Sequence, residues 1–277
     1  VLRGRRTVST LFAGLTSGWL ELLDSWHGVP LEDFMAATAV LEEKGLLVST
    51  EVGCWQLTAT GQRHQSQLQQ IRYLPQAFRV FQTTGVRRFM AVSQLALQVV
   101  SELAYHETHY YPVTTDPGVQ AQVKRWLRQQ SKPALENRVY TALNAFLTTL
   151  SLPELATVFV QSLTGYQNPG ATSEQLSLQV NRQPLETTLM RTDVVCQWSL
   201  WLQAHQTDPM WPLLAPLIQP SAISNSAWQT YQAFLQTQQP ALIAAKRRLK
   251  LSTVREHLLE VAIWMPTFPF EMVLSTE

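Results

Sequence analysis

The chain has 277 residues, of which 45% are hydrophobic and only 15% charged, and its formal net charge is +1. This length and apolar content suffice for about two packed domains and exclude an intrinsically disordered chain. Because the net charge is close to zero, any nucleic-acid surface must be local, since no cationic field surrounds the whole molecule.

Targeting and membrane segments are not expected. The sequence contains no run of 18 apolar residues, and no charged segment followed by an apolar segment opens the chain. The two cysteines, Cys54 and Cys196, lie far apart in the sequence. We expect both to be reduced core thiols of a cytoplasmic protein.

Residues 1–70 carry the pattern of a winged helix. Pro30 starts an amphipathic segment, and Gly45 ends it as a left-handed cap. Two short extended runs follow within residues 46–58, on either side of the turn Glu51-Val52-Gly53. This order predicts a winged-helix-like unit with a small β-hairpin. Its turn carries no basic residue, which argues against a wing that grips DNA.

Residues 71–150 predict a wholly helical region with prolines between its amphipathic segments. His106 and His109 are three residues apart and share one helical face. No third ligand accompanies them, so no metal site is expected. The charged residues on these helices, including Arg87-Arg88 and Lys124-Arg125, are expected on the surface.

Residues 151–220 predict a second helix-turn-helix. Thr172 or Ser173 caps a short helix, and Pro184 starts a longer one after a turn. The long helix carries few basic residues, of which Arg191 is the main one. This favours a structural or protein-contacting role over DNA binding.

Nine tryptophans are present, and most at helical spacing are expected in the core. Trp198 and Trp201 have this spacing. Trp211 lies between two prolines, where the sequence predicts a loop, and it is a candidate anchor for a protein partner.

Residues 221–277 predict a C-terminal helix-turn-helix whose second helix opens at Ser252-Thr253. In this motif the second helix lies in the major groove with its N-terminal residues at base edges. Arg255 lies one turn into this helix, where it can reach a base edge or a phosphate. Ser252 and Thr253 can cap the helix or bind a phosphate. Four flanking residues suit phosphate contacts that position without specifying: Lys246, Arg247, Arg248 and Lys250.

Two interpretations other than nucleic-acid binding remain for this basic segment. A run of charges is typical of a solvated surface, and helix-turn-helix folds also dock proteins. Glu256 and Glu260 would repel phosphate if they faced the groove. The helical spacing assigns Val254, Leu258 and Val261 to the core and leaves Arg255, Glu256 and Leu259 nearer the surface. A second basic cluster, Arg3, Arg5 and Arg6, is either a nucleic-acid-binding arm or a solubilising end.

Enzyme signatures are absent from the sequence. It has no P-loop, no Gly-x-Gly-x-x-Gly, no Gly-x-Ser-x-Gly and no carboxylate cluster for metal-dependent nuclease chemistry. We therefore expect neither catalysis nor a cofactor.

Short segments at both ends and in the middle carry a family resemblance. They are Leu2 to Thr10, Leu163-Thr164-Gly165-Tyr166, Thr172-x-Glu174-Gln175-Leu176, Ile243-Ala244, Arg248, Leu251-Ser252-Thr253-Val254 and His257-Leu258-x-Glu260. With these residues the chain resembles the YpbB-type proteins of Gram-positive bacteria, whose C-terminal helix-turn-helix is also appended to RecQ-like DNA helicases. Gln239-Pro240 departs from this pattern, which has a glycine turn there, and leaves the angle of the first helix open.

The sequence thus predicts a mainly α protein in four segments, 1–70, 71–150, 151–220 and 221–277. The resemblance implies a non-enzymatic accessory protein that binds DNA, a RecQ-like helicase, or both. Two alternatives remain: a sequence-specific transcription regulator, for which no heptad zipper is present, and a purely protein-binding scaffold. The sequence leaves the oligomeric state open.

Overall fold

The computed structural model describes residues 3–27, 30–51, 54–131 and 134–274. Within these ranges the protein is mainly α, as predicted, with one two-stranded hairpin. The elements in chain order are α1 (Val8–Thr16), α2 (Leu31–Glu43), β1 (Leu47–Glu51), β2 (Cys54–Leu57), α3 (Ala59–Ile71), α4 (Val86–Ala104), α5 (Pro117–Gln129), α6 (Leu135–Leu147), α7 (Pro153–Gln161), α8 (Ser173–Gln179), α9 (Pro184–Ala204), α10 (Trp211–Leu214), α11 (Asn225–Thr237), α12 (Pro240–Arg247), α13 (Leu251–Trp264) and α14 (Phe270–Leu274).

The chain forms two compact units that do not follow chain order. One comprises residues 1–27, 81–83 and 219–277, and the other comprises 28–80 and 84–218. The first unit includes α1 because Leu11, Leu20 and Leu23 bury their side chains together with Ile263 and Trp264. The four segments predicted from the sequence stay a prediction.

The predicted hairpin and its flanking helices are confirmed. β1 and β2 are antiparallel, with Leu47 opposite Leu57. Gly45 ends α2 with φ +67°, a left-handed conformation that glycine adopts without strain. Gly61 is also required, because a Cβ there would lie 2.0 Å from the Leu46 carbonyl oxygen. The predicted wing residues Val52 and Gly53 lie outside the described residues.

One cysteine prediction is wrong. Cys196 is fully buried in α9, as expected, but Cys54 is exposed on β2. The reason is that neither strand of the hairpin is buried on either face.

The core of the larger unit surrounds Trp198 of α9, which is 1% exposed, as predicted. Three phenylalanines from other helices pack on its ring. Phe89, Phe146 and Phe159 lie 6.0, 6.0 and 6.1 Å from it between ring centroids. These distances lie in the range in which aromatic pairs add to the stability gained from burial.

The segment that follows α3 is held on α9 by two buried carboxylates. Asp193, which is fully buried, accepts hydrogen bonds from the Tyr73 hydroxyl at 2.6 Å and from the backbone N–H groups of Gln76 and Ala77 at 3.0 and 2.8 Å. Glu186 accepts from the Tyr73 N–H at 2.8 Å and pairs with Arg72 at 3.0 Å. These bonds satisfy charges that burial would otherwise penalise.

The short and the long helix of the second predicted helix-turn-helix are present as α8 and α9, and their assignment as a helix-turn-helix stays a prediction. Thr172 caps α8 in a capping box with Gln175, and Pro184 occupies the first position of α9. The start of α9 presents exposed apolar residues to solvent, including Leu185 at 54% exposure. These exposed apolar residues at the start of α9 suit contact with protein better than contact with phosphate.

No helix in the described parts of the chain is both long enough and apolar enough to cross a membrane.

Candidate nucleic-acid interface

Three helices near the C-terminus, α11, α12 and α13, pack around a common apolar core. Val254, Leu258 and Val261 of α13 are 0%, 4% and 0% exposed, which confirms the predicted core face. The other buried members of this core are Ala227, Tyr231, Phe234, Ile243, Ala244 and Phe268. Their packing fixes α13 against α11 and α12, so its outer face has a defined orientation.

The two turns of this module adopt left-handed backbone conformations without glycine. Gln238 ends α11 with φ +52°, and Pro240 then begins α12. This arrangement explains how the chain turns at Gln239-Pro240 without the expected glycine. Arg248 ends α12 with φ +54° and forms the turn into α13. A non-glycine residue in the left-handed backbone conformation costs about 1 kcal/mol relative to the right-handed one.

The first turn of α13 has no side-chain cap, so the predicted capping role of Ser252 and Thr253 is wrong. The helix begins one residue earlier, at Leu251, and Lys250 occupies the cap position in an extended conformation. Ser252 and Thr253 therefore lie inside the first turn. An uncapped first turn leaves backbone N–H groups and the positive end of the helix dipole available to an anion.

Four cationic residues lie within five sequence positions of this helix start. Lys246, Arg248, Lys250 and Arg255 are all exposed. Among the residues that the structure describes, no carboxylate lies within ion-pair distance of any of them. Their charges are therefore not neutralised locally, and they form what we call the basic surface.

Arg247 faces the interior of the module. Its guanidinium donates to the Ser226 carbonyl oxygen at 2.9 Å, to the Gln229 side chain at 3.0 Å and to the Thr230 hydroxyl. All three acceptors belong to α11, so Arg247 joins α12 to α11. The sequence grouped Arg247 with its basic neighbours because its partners lie far away in the chain.

Replacing Arg247 with methionine is expected to destabilise the C-terminal module by about 1–3 kcal/mol, because the fully buried Thr230 hydroxyl loses a donor and the two exposed acceptors lose their link to α12. Urea unfolding followed by circular dichroism measures this change. Lys246→Met is the matched control, and a substitution at that exposed position is expected to shift stability by less than about 0.5 kcal/mol. Equal stability of both variants, with equal loss of DNA affinity, would instead make Arg247 a phosphate ligand.

The two acidic residues of α13 differ in position. Glu260 accepts hydrogen bonds from the Ser224 N–H at 2.7 Å and from its hydroxyl at 3.1 Å, and it thus holds the start of α11. Glu256 is exposed on the same face as Arg255. Only Glu256 therefore opposes a phosphate at the outer face of α13.

His257 belongs to the same polar network as Arg247. Its Nδ1 lies 2.8 Å from the hydroxyl of Thr230, which is fully buried. Burial and the nearby charge of Arg247 lower the pKa of His257 below its ordinary value of 6.5, while Glu260 and Glu256 oppose this shift. The neutral imidazole is thus the form that the fold favours.

We expect the stability of the module to fall as the pH drops below about 6.5, because the unfolded chain protonates His257 before the folded chain does. The stabilising contribution is full above the unfolded pKa and is lost below it. Urea unfolding at pH 7.5 and pH 5.5 measures this dependence. His257→Gln should flatten it, whereas substitution of the exposed His64 should not. The same pH dependence in the His257→Gln variant would contradict this role.

The remaining candidate contact residues are not part of the basic surface. Arg3 and Arg5 are exposed, whereas Arg6 donates to the carbonyl oxygens of Gln82 at 2.6 Å and Ala222 at 3.2 Å. Arg6 is thus anchored within its unit and not free as part of an arm. Trp211 is half-buried and begins α10, so the predicted loop at this position is wrong. A protein contact at Trp211 stays a prediction.

No group of three or more metal-ligating side chains occurs among the described residues. The segment that contains His106 and His109 is also not helical, because α4 ends at Ala104. His106 has φ +58° and lies in the turn that follows α4. The predicted common helical face for these two histidines is therefore wrong.

Comparison with known proteins places the basic surface in a helix-turn-helix domain. Residues 226–277 match a family described as a helix-turn-helix domain. Protein YpbB of Bacillus subtilis (strain 168) is 27% identical over 193 residues, which cover 66% of this chain and 52% of that protein. The chain thus spans about half the length of this curated relative. No solved structure matches the chain.

Both matches confirm the resemblance to YpbB-type helix-turn-helix proteins. They support a protein that binds nucleic acid or protein through a helix-turn-helix. The matched segment contains α11, α12, α13 and the whole basic surface. Any more specific function therefore has to follow from the geometry of the basic surface.

Proposed function

We propose that this chain, which resembles YpbB-type proteins and has a helix-turn-helix domain at residues 226–277, is a non-enzymatic accessory protein that binds DNA, a RecQ-like DNA helicase, or both. The observation that carries the DNA proposal is the basic surface: four exposed, unpaired cations around the uncapped start of α13.

The positions of these cations suit a helix that enters the major groove. Lys246, Arg248 and Lys250 precede α13 and would contact phosphates on either side of the groove. Ser252 and Arg255 lie on the exposed face of α13, close to its N-terminal end, where this motif contacts base edges. Phosphate contacts would then supply most of the affinity, and Arg255 any base preference.

Contact with a helicase rests on the relationship to YpbB-type proteins and on apolar residues at the surface. Leu242 of α12 and Leu259 of α13 are 53% and 52% exposed within the helix-turn-helix itself. Exposed leucines beside a cationic surface suit a protein that holds nucleic acid and a partner together. Such tethering raises the effective concentration of one ligand near the other without new chemistry.

Fluorescence anisotropy with labelled single-stranded, duplex and forked DNA tests the DNA proposal. We expect binding at low salt that weakens with a slope of about −2.7 in log K against log salt on duplex DNA, since three phosphate contacts would form. Absence of binding to all three forms at low salt would overturn the proposal.

Size-exclusion chromatography of the full chain with a RecQ-like helicase from a Gram-positive bacterium tests the partner. Co-elution without DNA is expected. Co-elution together with failure to bind DNA would make the chain a purely protein-binding scaffold, a function that the exposed leucines favour. A dimer that prefers one palindromic duplex would instead indicate a transcription regulator.

A further inference from the structure

Residues 30–72, which contain α2, the hairpin and α3, fold without a buried apolar side chain; we call them the α2–α3 segment. Among its described residues, 30–51 and 54–72, only Thr38 and Gly61 are buried. A small folded unit normally gains its stability from apolar side chains that leave water. A two-stranded hairpin is likewise marginal unless its apolar face packs against something. The apolar side chains of this segment are therefore left uncovered.

Hydrogen bonds hold the α2–α3 segment in shape. The Glu42 carboxylate accepts from the Ser49 N–H at 3.3 Å and from the Trp55 indole N–H at 3.4 Å. The Thr58 hydroxyl donates to the Gly45 carbonyl oxygen at 2.7 Å. These bonds join α2 to the hairpin, so the exposed side chains of both elements keep a defined arrangement.

The α2–α3 segment is tied to the rest of the larger unit at its C-terminal end. Arg182 donates to the Ile71 carbonyl oxygen at 3.3 Å, and Arg72 pairs with Glu186. In the part of the chain that the structure describes, no hydrogen bond or ion pair joins residues 30–70 to a residue outside the segment. The surface of α2 therefore stays accessible.

α2 presents a row of apolar side chains to solvent. Leu31 and Met35 lie one turn apart on one face of the helix and are 54% and 43% exposed. Ala39 continues this row one turn further and is also exposed. In the adjacent strand β1, Val48 is 47% exposed. Grouped apolar residues on a folded surface mark an interaction site, and a row at this spacing suits the apolar face of a second helix.

Negative charge borders this apolar row. Residues 30–51 contain five acidic residues and one basic residue, Lys44. Four of the acidic residues are exposed and form no ion pair in the described part of the chain: Glu32, Asp33, Glu43 and Glu51. By helical spacing, Glu43 continues the row of Leu31 and Met35, and Glu32 lies beside it. A ligand of this surface therefore meets apolar and anionic groups together.

We propose that the α2–α3 segment binds a basic amphipathic helix of a partner protein. The apolar face of this helix would cover Leu31 and Met35, and its Lys or Arg residues would face Glu32 and Glu43. Charge complementarity selects this occupant. Phosphates of DNA would meet carboxylates here, and a second copy related by a two-fold axis would bring like charges together. The proposal concerns a surface other than the basic surface and does not rest on DNA binding.

Fluorescence anisotropy of the full chain with a labelled amphipathic helical peptide of leucine and lysine tests the proposal. One control peptide has glutamate in place of every lysine, and another has the same composition in scrambled order. We expect the leucine–lysine peptide to bind at least about tenfold more tightly than either control. If either control peptide bound as tightly as the leucine–lysine peptide, the proposal would be overturned.

Removing the apolar row places binding on α2. Leu31→Ser combined with Met35→Ser should weaken binding of the leucine–lysine peptide about tenfold, because the apolar area that the peptide covers is lost. Leu178→Ser on α8 is the matched control, since this side chain is 84% exposed outside the segment. Equal affinities of the control and the double variant would overturn the proposed site.

Reversing the bordering charges separates recognition from an effect on folding. Glu32→Lys combined with Glu43→Lys should weaken binding of the lysine peptide and strengthen binding of the glutamate peptide, a reversal that unfolding of the segment cannot produce. Glu21→Lys combined with Glu256→Lys, at exposed positions outside the segment, is the control for net charge. The same reversal in this control would show that the peptides sense only net charge and would overturn the site.

Three further measurements complete the test. Hydrogen exchange at the amides of β1 and β2 should slow when the leucine–lysine peptide binds, and slowing confined to other parts of the chain would overturn the site. Sedimentation velocity should give the same state of association for the parent and both double variants of α2. A dimer that these substitutions dissociate would show that a second copy covers the surface instead. The DNA affinity of the Leu31→Ser, Met35→Ser variant should equal that of the parent, so the two proposals fail separately.

Discussion

Reversing Lys246, Arg248, Lys250 and Arg255 to glutamate is expected to weaken duplex DNA binding at low salt by at least about 100-fold, because three phosphate contacts become repulsive and the base-edge contact of Arg255 is lost. The salt dependence should vanish along with the binding. Fluorescence anisotropy on the same duplex at two or more salt concentrations measures both effects. Arg247 stays unchanged in this variant, because its hydrogen bonds to α11 support the fold.

The matched control reverses Lys124, Arg125 and Arg128, which are exposed on α5 in the other unit. This control changes the net charge by a similar amount and should reduce DNA affinity far less. Neutralising Glu256 with glutamine should strengthen binding, because Glu256 shares the outer face of α13. Equal losses in the two reversed variants would mean that DNA senses only net charge and that the basic surface is not the site.

Replacing Asp193 with alanine is expected to destabilise the larger unit by about 3–5 kcal/mol, the range for breaking a buried charged network. The substitution leaves the Tyr73 hydroxyl and the N–H groups of Gln76 and Ala77 without their acceptor. It also removes the partner of the Gln197 amide, which donates to Asp193 at 2.9 Å. Urea unfolding monitored by tryptophan fluorescence measures the change, since Trp198 lies one turn away on α9.

Asp33→Ala on the exposed surface of α2 is the control, and its expected change is below about 0.5 kcal/mol. Asp193→Asn keeps part of the acceptor capacity and should fall between the two. Parental stability of Asp193→Ala would show that Glu186 and the apolar contacts hold segment 72–77 without Asp193. DNA binding by the C-terminal module should survive in every one of these variants that remains folded.

Much of the candidate site follows from local sequence. The apolar spacing of Val254, Leu258 and Val261 predicted the buried face of α13, and the structure confirms it. Helical periodicity is local, because residues three and four apart share one face whatever the rest of the chain does. The hairpin and the left-handed conformation of Gly45 were predictable for the same reason, since each depends on a few adjacent residues.

The role of Arg247 was not predictable from its neighbours. The sequence shows that Arg247 is basic. It does not show that the guanidinium donates to Thr230, because Thr230 lies 17 residues away. The helix start at Leu251 was likewise missed, because Ser252 and Thr253 are good caps only if the backbone places them before the helix.

Tertiary structure alone decided the associations between distant segments. The packing of α1 beside α13 joins residues from the two ends of the sequence, and Asp193 binds backbone groups more than 100 residues away. The sequence determined which residues form helices, which faces are apolar and where positive charge concentrates. Which residues far apart in the sequence contact each other depends on which apolar faces and buried polar groups meet as the chain packs. A local sequence pattern does not contain this information.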